Sequence, residues 1–201
     1  MADYTINADS NPYHGRARKG ASTPSIQYFQ ESTAVSTAVI KLGDIVSQDT
    51  TVSTGGFRIR RAYAAGGQET NLLGIGQHIV GVAAEGSTSD GSATGLSSGG
   101  AGAALTRQIG VFIADPETEF VGYLVSTAAA NAQPVSRSSL VGATKAVRYD
   151  STNHVFTVDY INSTVALHTV TITGIPDGTE GSTNGPVYFK FLSSNVSEAV
   201  S

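Results

Sequence analysis

The chain has 201 residues, a formal net charge of −4 and only 14% charged residues, against roughly a quarter in ordinary soluble chains. It contains no cysteine, so disulfides, thiolate metal sites and cysteine nucleophiles are excluded. No run approaches the roughly 18 apolar residues of a membrane span, and the opening Met1–Gly15 lacks the apolar core of a secretory signal, so a soluble product made in the cytoplasm, with no membrane partner, is expected.

Charge is unevenly placed. Residues 1–65 carry Arg16, Arg18, Lys19, Lys41, Arg58, Arg60 and Arg61 against Asp3, Asp9, Glu31, Asp44 and Asp49, which leaves +2, and the remainder therefore carries −6. The asymmetry is either chance or the mark of an N-terminal part that faces an acidic partner.

Residues 1–25 hold no periodic apolar pattern and cannot build a core, so they read as an extended arm outside the folded body. Tyr4, Ile6 and Tyr13 are its apolar anchors, and Arg16, Arg18 and Lys19 form a basic cluster. Nothing aromatic alternates with that cluster and the whole chain is acidic, so no nucleic-acid partner is expected. The arm instead reads either as a solvated tail or, more sharply, as a surface that docks on an acidic protein.

From Ser25 the chain turns β-like, with alternation over Ile26–Glu31 and again over Val35–Lys41, then a turn at Gly43-Asp44 and a strand through Ile45-Val46. In Phe57–Tyr63 the alternation puts Phe57 and Ile59 on one face, together with Arg61, and Arg58 and Arg60 on the other. Arginines on the outer face of a strand are usually just solvated, but they can also protect an edge or make an intersubunit contact, and Arg58, Arg60 and Arg61 are the candidates. The fragment Gly74-x-Gly76 is not a dinucleotide fingerprint, because the third glycine is missing and no amphipathic helix follows.

Residues 78–126 organise the chain. Apolar residues of both parities at 79–84 and 109–113 predict strands buried on both faces or closed into a barrel wall. Asp115-Pro116 predicts a tight turn in which the aspartate bonds the backbone ahead of it, followed by a hairpin return through Phe120–Val125. Gly122 in that strand marks a bulge or a close backbone approach. Between these strands, residues 86–104 form a long Gly/Ser-rich loop.

Residues 126–142 are a connector with one helical turn at most. A hairpin is expected with strands through Val147–Tyr149 and Val155–Tyr160, then strands over Leu167–Thr173 and Pro186–Leu192, and a polar, frayed tail over 194–201. About ten strands separated by turn signals, without a convincing helix, define an all-β fold: an antiparallel β-barrel or sandwich over residues 26–193.

The search for chemistry finds no catalytic constellation. His14, His78, His154 and His168 do not lie at metal-ligand spacing, and Asp115, Glu117 and Glu119 read as a solvated turn rather than a calcium loop. No nucleophile elbow, zinc-helix motif or phosphate loop occurs. The sequons Asn162-Ser163-Thr164 and Asn195-Val196-Ser197 read as accidental. The protein is expected not to be an enzyme and to need no cofactor or metal.

The string IVGVAAEG, the small-residue loop and then IGVFIADPETEFVGYL resemble the core of tailed-phage head decoration (capsid cement) proteins, whose barrels carry a similar GIAAE…VYLAD…TEF pattern. YDSTNHVFTVD and GSTNGPVYFKF are similar to the later strands of that family. The resemblance implies a structural virion protein on the outer capsid surface, partnered by the major capsid protein and by its own copies, with a trimer favoured. A phage tail or fibre domain, or a bacterial surface β-domain that binds glycans, is the alternative reading. The lack of tryptophan weakens the glycan form of it, since such sites use aromatic platforms.

Overall fold

The computed structural model describes residues 15–16, 25–31, 40–50, 57–62, 78–84, 108–116, 118–125, 134–150, 155–160 and 168–197. Its strands are β1 (Gly15–Arg16), β2 (Ile26–Glu31), β3 (Ile45–Gln48), β4 (Arg58–Arg61), β5 (Ile79–Ala83), β6 (Gln108–Ile113), β7 (Glu119–Val125), β8 (Thr144–Asp150), β9 (Val155–Asp159), β10 (Val170–Gly174) and β11 (Pro186–Phe191). One helical turn, α1 (Arg137–Leu140), and a 3-10 turn at Ser193–Asn195 complete the described elements. The all-β class and the number of strands agree with the sequence. The strand proposed over Val35–Val39 and the loop at 86–104 lie outside the described residues.

The strands close into two rings rather than one barrel. The first runs β2-β4-β3-β5-β6 and the second β7-β11-β10-β8-β9, with β1 added to the edge of β7. β6 and β7 therefore belong to different rings and do not form the expected hairpin. The Asp115-Pro116 turn itself forms as read, with the Thr118 N–H donating to Asp115 Oδ1 at 2.7 Å. It joins the rings, because a turn motif fixes local direction but not the strand on which the chain next pairs. β7 continues through Gly122 in register with Val187, without the bulge anticipated there.

The two rings are built on one plan. In each, the first strand is parallel to the third and antiparallel to the fifth, and all other neighbours are antiparallel. The registers also match: Ile45↔Val82, Val82↔Phe112 and Ala83↔Val111 in the first ring correspond to Thr144↔Thr171, Thr171↔Lys190 and Ile172↔Phe189 in the second. Even the turns coincide. Gly43 and Gly142 have φ of +83° and +86°, and their N–H groups donate to Ala83 and Ile172 carbonyls at 2.8 Å each. Such a left-handed turn position favours glycine because it has no Cβ. Across the matched described positions the only identities are Gly43/Gly142 and Phe57/Phe156.

Burial follows from the register. Val46, Ile59, Val80, Ala83, Ile109, Val111 and Ile113 fill the first ring. Ile45, Ile79 and Val82 face the other way and join a larger cluster with Phe120, Leu124, Tyr149, Phe156 and Phe189 of the second ring. This is why β5 is buried along its whole length, as the two-parity pattern predicted: one face lines a barrel and the other lines the seam between barrels. Gly81 shifts the parity, so that Ile79 and Val82 share one face while Val80 and Ala83 share the other.

The chain crosses the seam a second time at its C-terminal end. Val196 bridges Ile79, the Ser197 N–H donates to the Ile79 carbonyl at 2.8 Å, and Ser197 Oγ meets Gln48 Oε1 at 3.1 Å. Asn195 and Ser197 are each 1% exposed. The frayed tail read from 194 is therefore corrected for 194–197, a short clasp whose polar side chains satisfy backbone and amide groups that composition alone does not reveal. Residues 198–201 lie outside the described residues.

The arm is also tied down at one point. Gly15 and Arg16 pair with Phe120 and Glu119, so this part of the arm runs along the second ring of its own chain. No described residue before Phe29 joins or packs on either core cluster. Deleting residues 1–22 should therefore leave cooperative melting intact, with a midpoint lowered by no more than about 4 °C. A truncated chain without β circular dichroism would show that the arm is part of the core.

Candidate functional surfaces

Of the arm residues expected to dock on an acidic protein, Tyr4, Ile6, Tyr13, Arg18 and Lys19 lie outside the described residues, and Arg16 is placed by its backbone in β1. The proposed intersubunit arginines separate into two groups. Arg58 and Arg60 lie on the outer face of β4, partly exposed, with Arg60 Nη1 3.8 Å from the buried carboxylate of Asp49. Arg61 is 8% exposed and its guanidinium carbon lies 4.6 Å from the centre of the Tyr149 ring. It works within the chain, across the seam, where a cation over an aromatic face is favourable. The sequence pattern that paired it with Ile59 is correct about its face, but not about its availability to another subunit.

Asp44 is a feature that sequence reading passed over as a turn residue. It is 0% exposed, Oδ2 accepts the Lys41 N–H at 2.8 Å, and Oδ1 has no hydrogen-bond partner among the described residues. Burial pushes its pKa up to about 7, while the Lys41 N–H and then the charges of Arg61 and Lys41 pull in the opposite direction. Desolvation wins because a carboxylate loses more hydration than one backbone N–H returns.

Asp115 is used in the turn, Glu119 is buried within β7, and Glu117 lies outside the described residues. His168 is buried, with Nδ1 2.8 Å from Thr144 Oγ1, a packing position just before β10. Among the described residues no three His, Asp or Glu side chains gather in a geometry that could hold a metal ion.

A groove of about 380 Å³ opens where the connector between rings passes the outer face of the second ring. Ala114 and Pro116 form one wall, Phe191 and Val196 another, and Thr171 and Lys190 stand side by side along a third. Lys190 Nζ donates to the Pro116 carbonyl. The volume lies in the range of small-ligand and side-chain pockets. Its residues come from well-separated stretches of chain, so no local motif announces it.

No family model, no curated protein and no solved structure matches the chain.

Proposed function

We propose that the protein is a structural virion protein that binds the outer surface of an assembled phage capsid and stabilises it. The reading rests on the resemblance of residues 79–126 to head decoration proteins. It is supported by the position of that stretch in the fold, where β5, β6 and β7 build the wall of one ring, the seam and the first strand of the next. A charge-poor double barrel with a basic N-terminal arm suits association rather than turnover. Arg16, Arg18 and Lys19 meet acidic groups on the major capsid protein, and Tyr4, Ile6 and Tyr13 fill grooves between its subunits. Self-association into a trimer belongs to the same reading.

A protein that binds only the assembled shell stabilises it by mass action, by RT ln(1 + [L]/Kd) for each site. Mixed with assembled, undecorated capsids, the purified protein should saturate at a fixed number of copies per shell and raise the temperature at which shells release their DNA. It should not bind free capsid subunits. Deleting residues 1–22 should lower occupancy at least ten-fold. Binding to immobilised glycans, with none to shells, would favour the tail or surface-domain alternative and defeat this reading.

A further inference from the structure

The match between rings gives the groove a meaning. On the first ring, the positions equivalent to Thr171 and Lys190 are Val82 and Phe112, set by identical register. Val82 is fully buried and Phe112 packs against the cluster that continues into the second ring. That face of a ring is thus the one on which the chain already seats a neighbouring domain. On the second ring the same face carries Thr171, Thr173 and Lys190 and lies beside an open groove. We propose that this groove is a docking site for a partner polypeptide that inserts an apolar side chain and places an adjacent carboxylate on Lys190.

The chemistry of the occupant follows from the walls. Ala114, Pro116, Phe191 and Val196 offer apolar contact for one side chain of ordinary size. Lys190 uses one of its three N–H donors on the Pro116 carbonyl, and two remain for an anion beside the Thr171 hydroxyl. Asp115 also borders the groove, but its Oδ1 is held by the Thr118 N–H, which leaves the lysine side for the negative group. A purely apolar occupant would strand the Lys190 ammonium and the Thr171 hydroxyl, at a cost in desolvation. The change from Val82 and Phe112 to Thr171 and Lys190 replaces the apolar surface that seats a barrel on the first ring with one selective for a charged partner. The inference is independent of the virion reading, since it requires a polypeptide of stated chemistry and not a particular assembly.

The test compares two capped tetrapeptides, acetyl-Gly-Phe-Asp-Gly-amide and acetyl-Gly-Phe-Asn-Gly-amide, titrated to millimolar concentration into the isotope-labelled full chain. Saturable amide shifts are expected at Thr171, Thr173, Lys190 and Phe191, with the aspartate peptide binding at least five-fold more tightly. Lys190→Met should abolish that preference and Lys190→Arg should keep most of it. The comparison between peptides on the unmodified protein stands even if Lys190→Met does not fold. Shifts that do not saturate, that fall elsewhere, or that are equal for the two peptides would overturn the proposal.

Discussion

Replacing Asp44 with asparagine should make the protein more stable at pH 8 and leave it unchanged at pH 4. The folded-state pKa of about 7 lies above the ordinary 3.8 of an aspartate because the carboxyl is buried. Between those two values the folded chain holds a proton that the unfolded chain has released. Stability from this group is therefore complete below about pH 4, falls as pH rises above that value, and is fully lost once pH passes 7. A displacement from 3.8 to about 7 corresponds to about 4 kcal/mol. The asparagine side chain carries no charge at any pH, so the Asp44→Asn variant should lose this slope. Urea unfolding of both proteins from pH 4 to pH 8 measures it directly. A difference between them that is constant across the range would mean that Asp44 is ionised in the folded state. The equivalent position in the second ring is Ala143, which shows that the turn itself does not need a carboxylate.

The second large effect is expected at Gly81. A Cβ built there would lie 1.9 Å from the Phe112 carbonyl oxygen and 3.0 Å from Val111 Cγ1. The obstruction is the backbone of the paired strand, which cannot yield without opening the ladder between β5 and β6. Gly81→Ala should cost on the order of 3 kcal/mol or more and reduce soluble yield. Gly142→Ala is the control. It has the same left-handed turn geometry as Gly43 but nothing within 4 Å of its added carbon, so only the backbone preference is lost, about 1 kcal/mol. Equal losses in the two variants, measured by denaturant midpoint, would show that conformation and not close approach governs Gly81.

Much of the architecture was legible because strands announce themselves by period. The two-parity runs at 79–84 and 109–113 marked the most buried wall, and the Asp115-Pro116 turn formed with its predicted side-chain bond. What could not be read was closure. The pattern that buries Ile59 inside a ring is the same whether that ring has five strands or ten, since period two assigns faces and not neighbours. The repeat was hidden for a related reason. Its rings share register, turn geometry and hydrogen bonds, but almost none of the matched side chains. Val82 and Thr171 occupy one position in two environments, the seam and the groove, and each is chosen by what covers it. The groove was equally silent, because Pro116, Thr171, Lys190 and Val196 converge only after both rings have formed. Arg61 was assigned to the correct face, but its partner Tyr149 is 88 positions away along the chain.

The clasp has a consequence for the order in which the chain matures. All five strands of the first ring are available once residue 113 has been synthesised, yet Ile45, Ile79 and Val82 then face water until the second ring arrives to cover them. Val196 and Ser197 reach Ile79 only after every strand of the second ring has been synthesised. The nascent chain thus carries an uncovered apolar sheet face until the second ring has followed it, the kind of surface that chaperones hold and that aggregates when released early. A product terminated between the rings should accumulate in inclusion bodies, while a chain extended through Ser197, with Val196 and Ser197 latched on Ile79, should not.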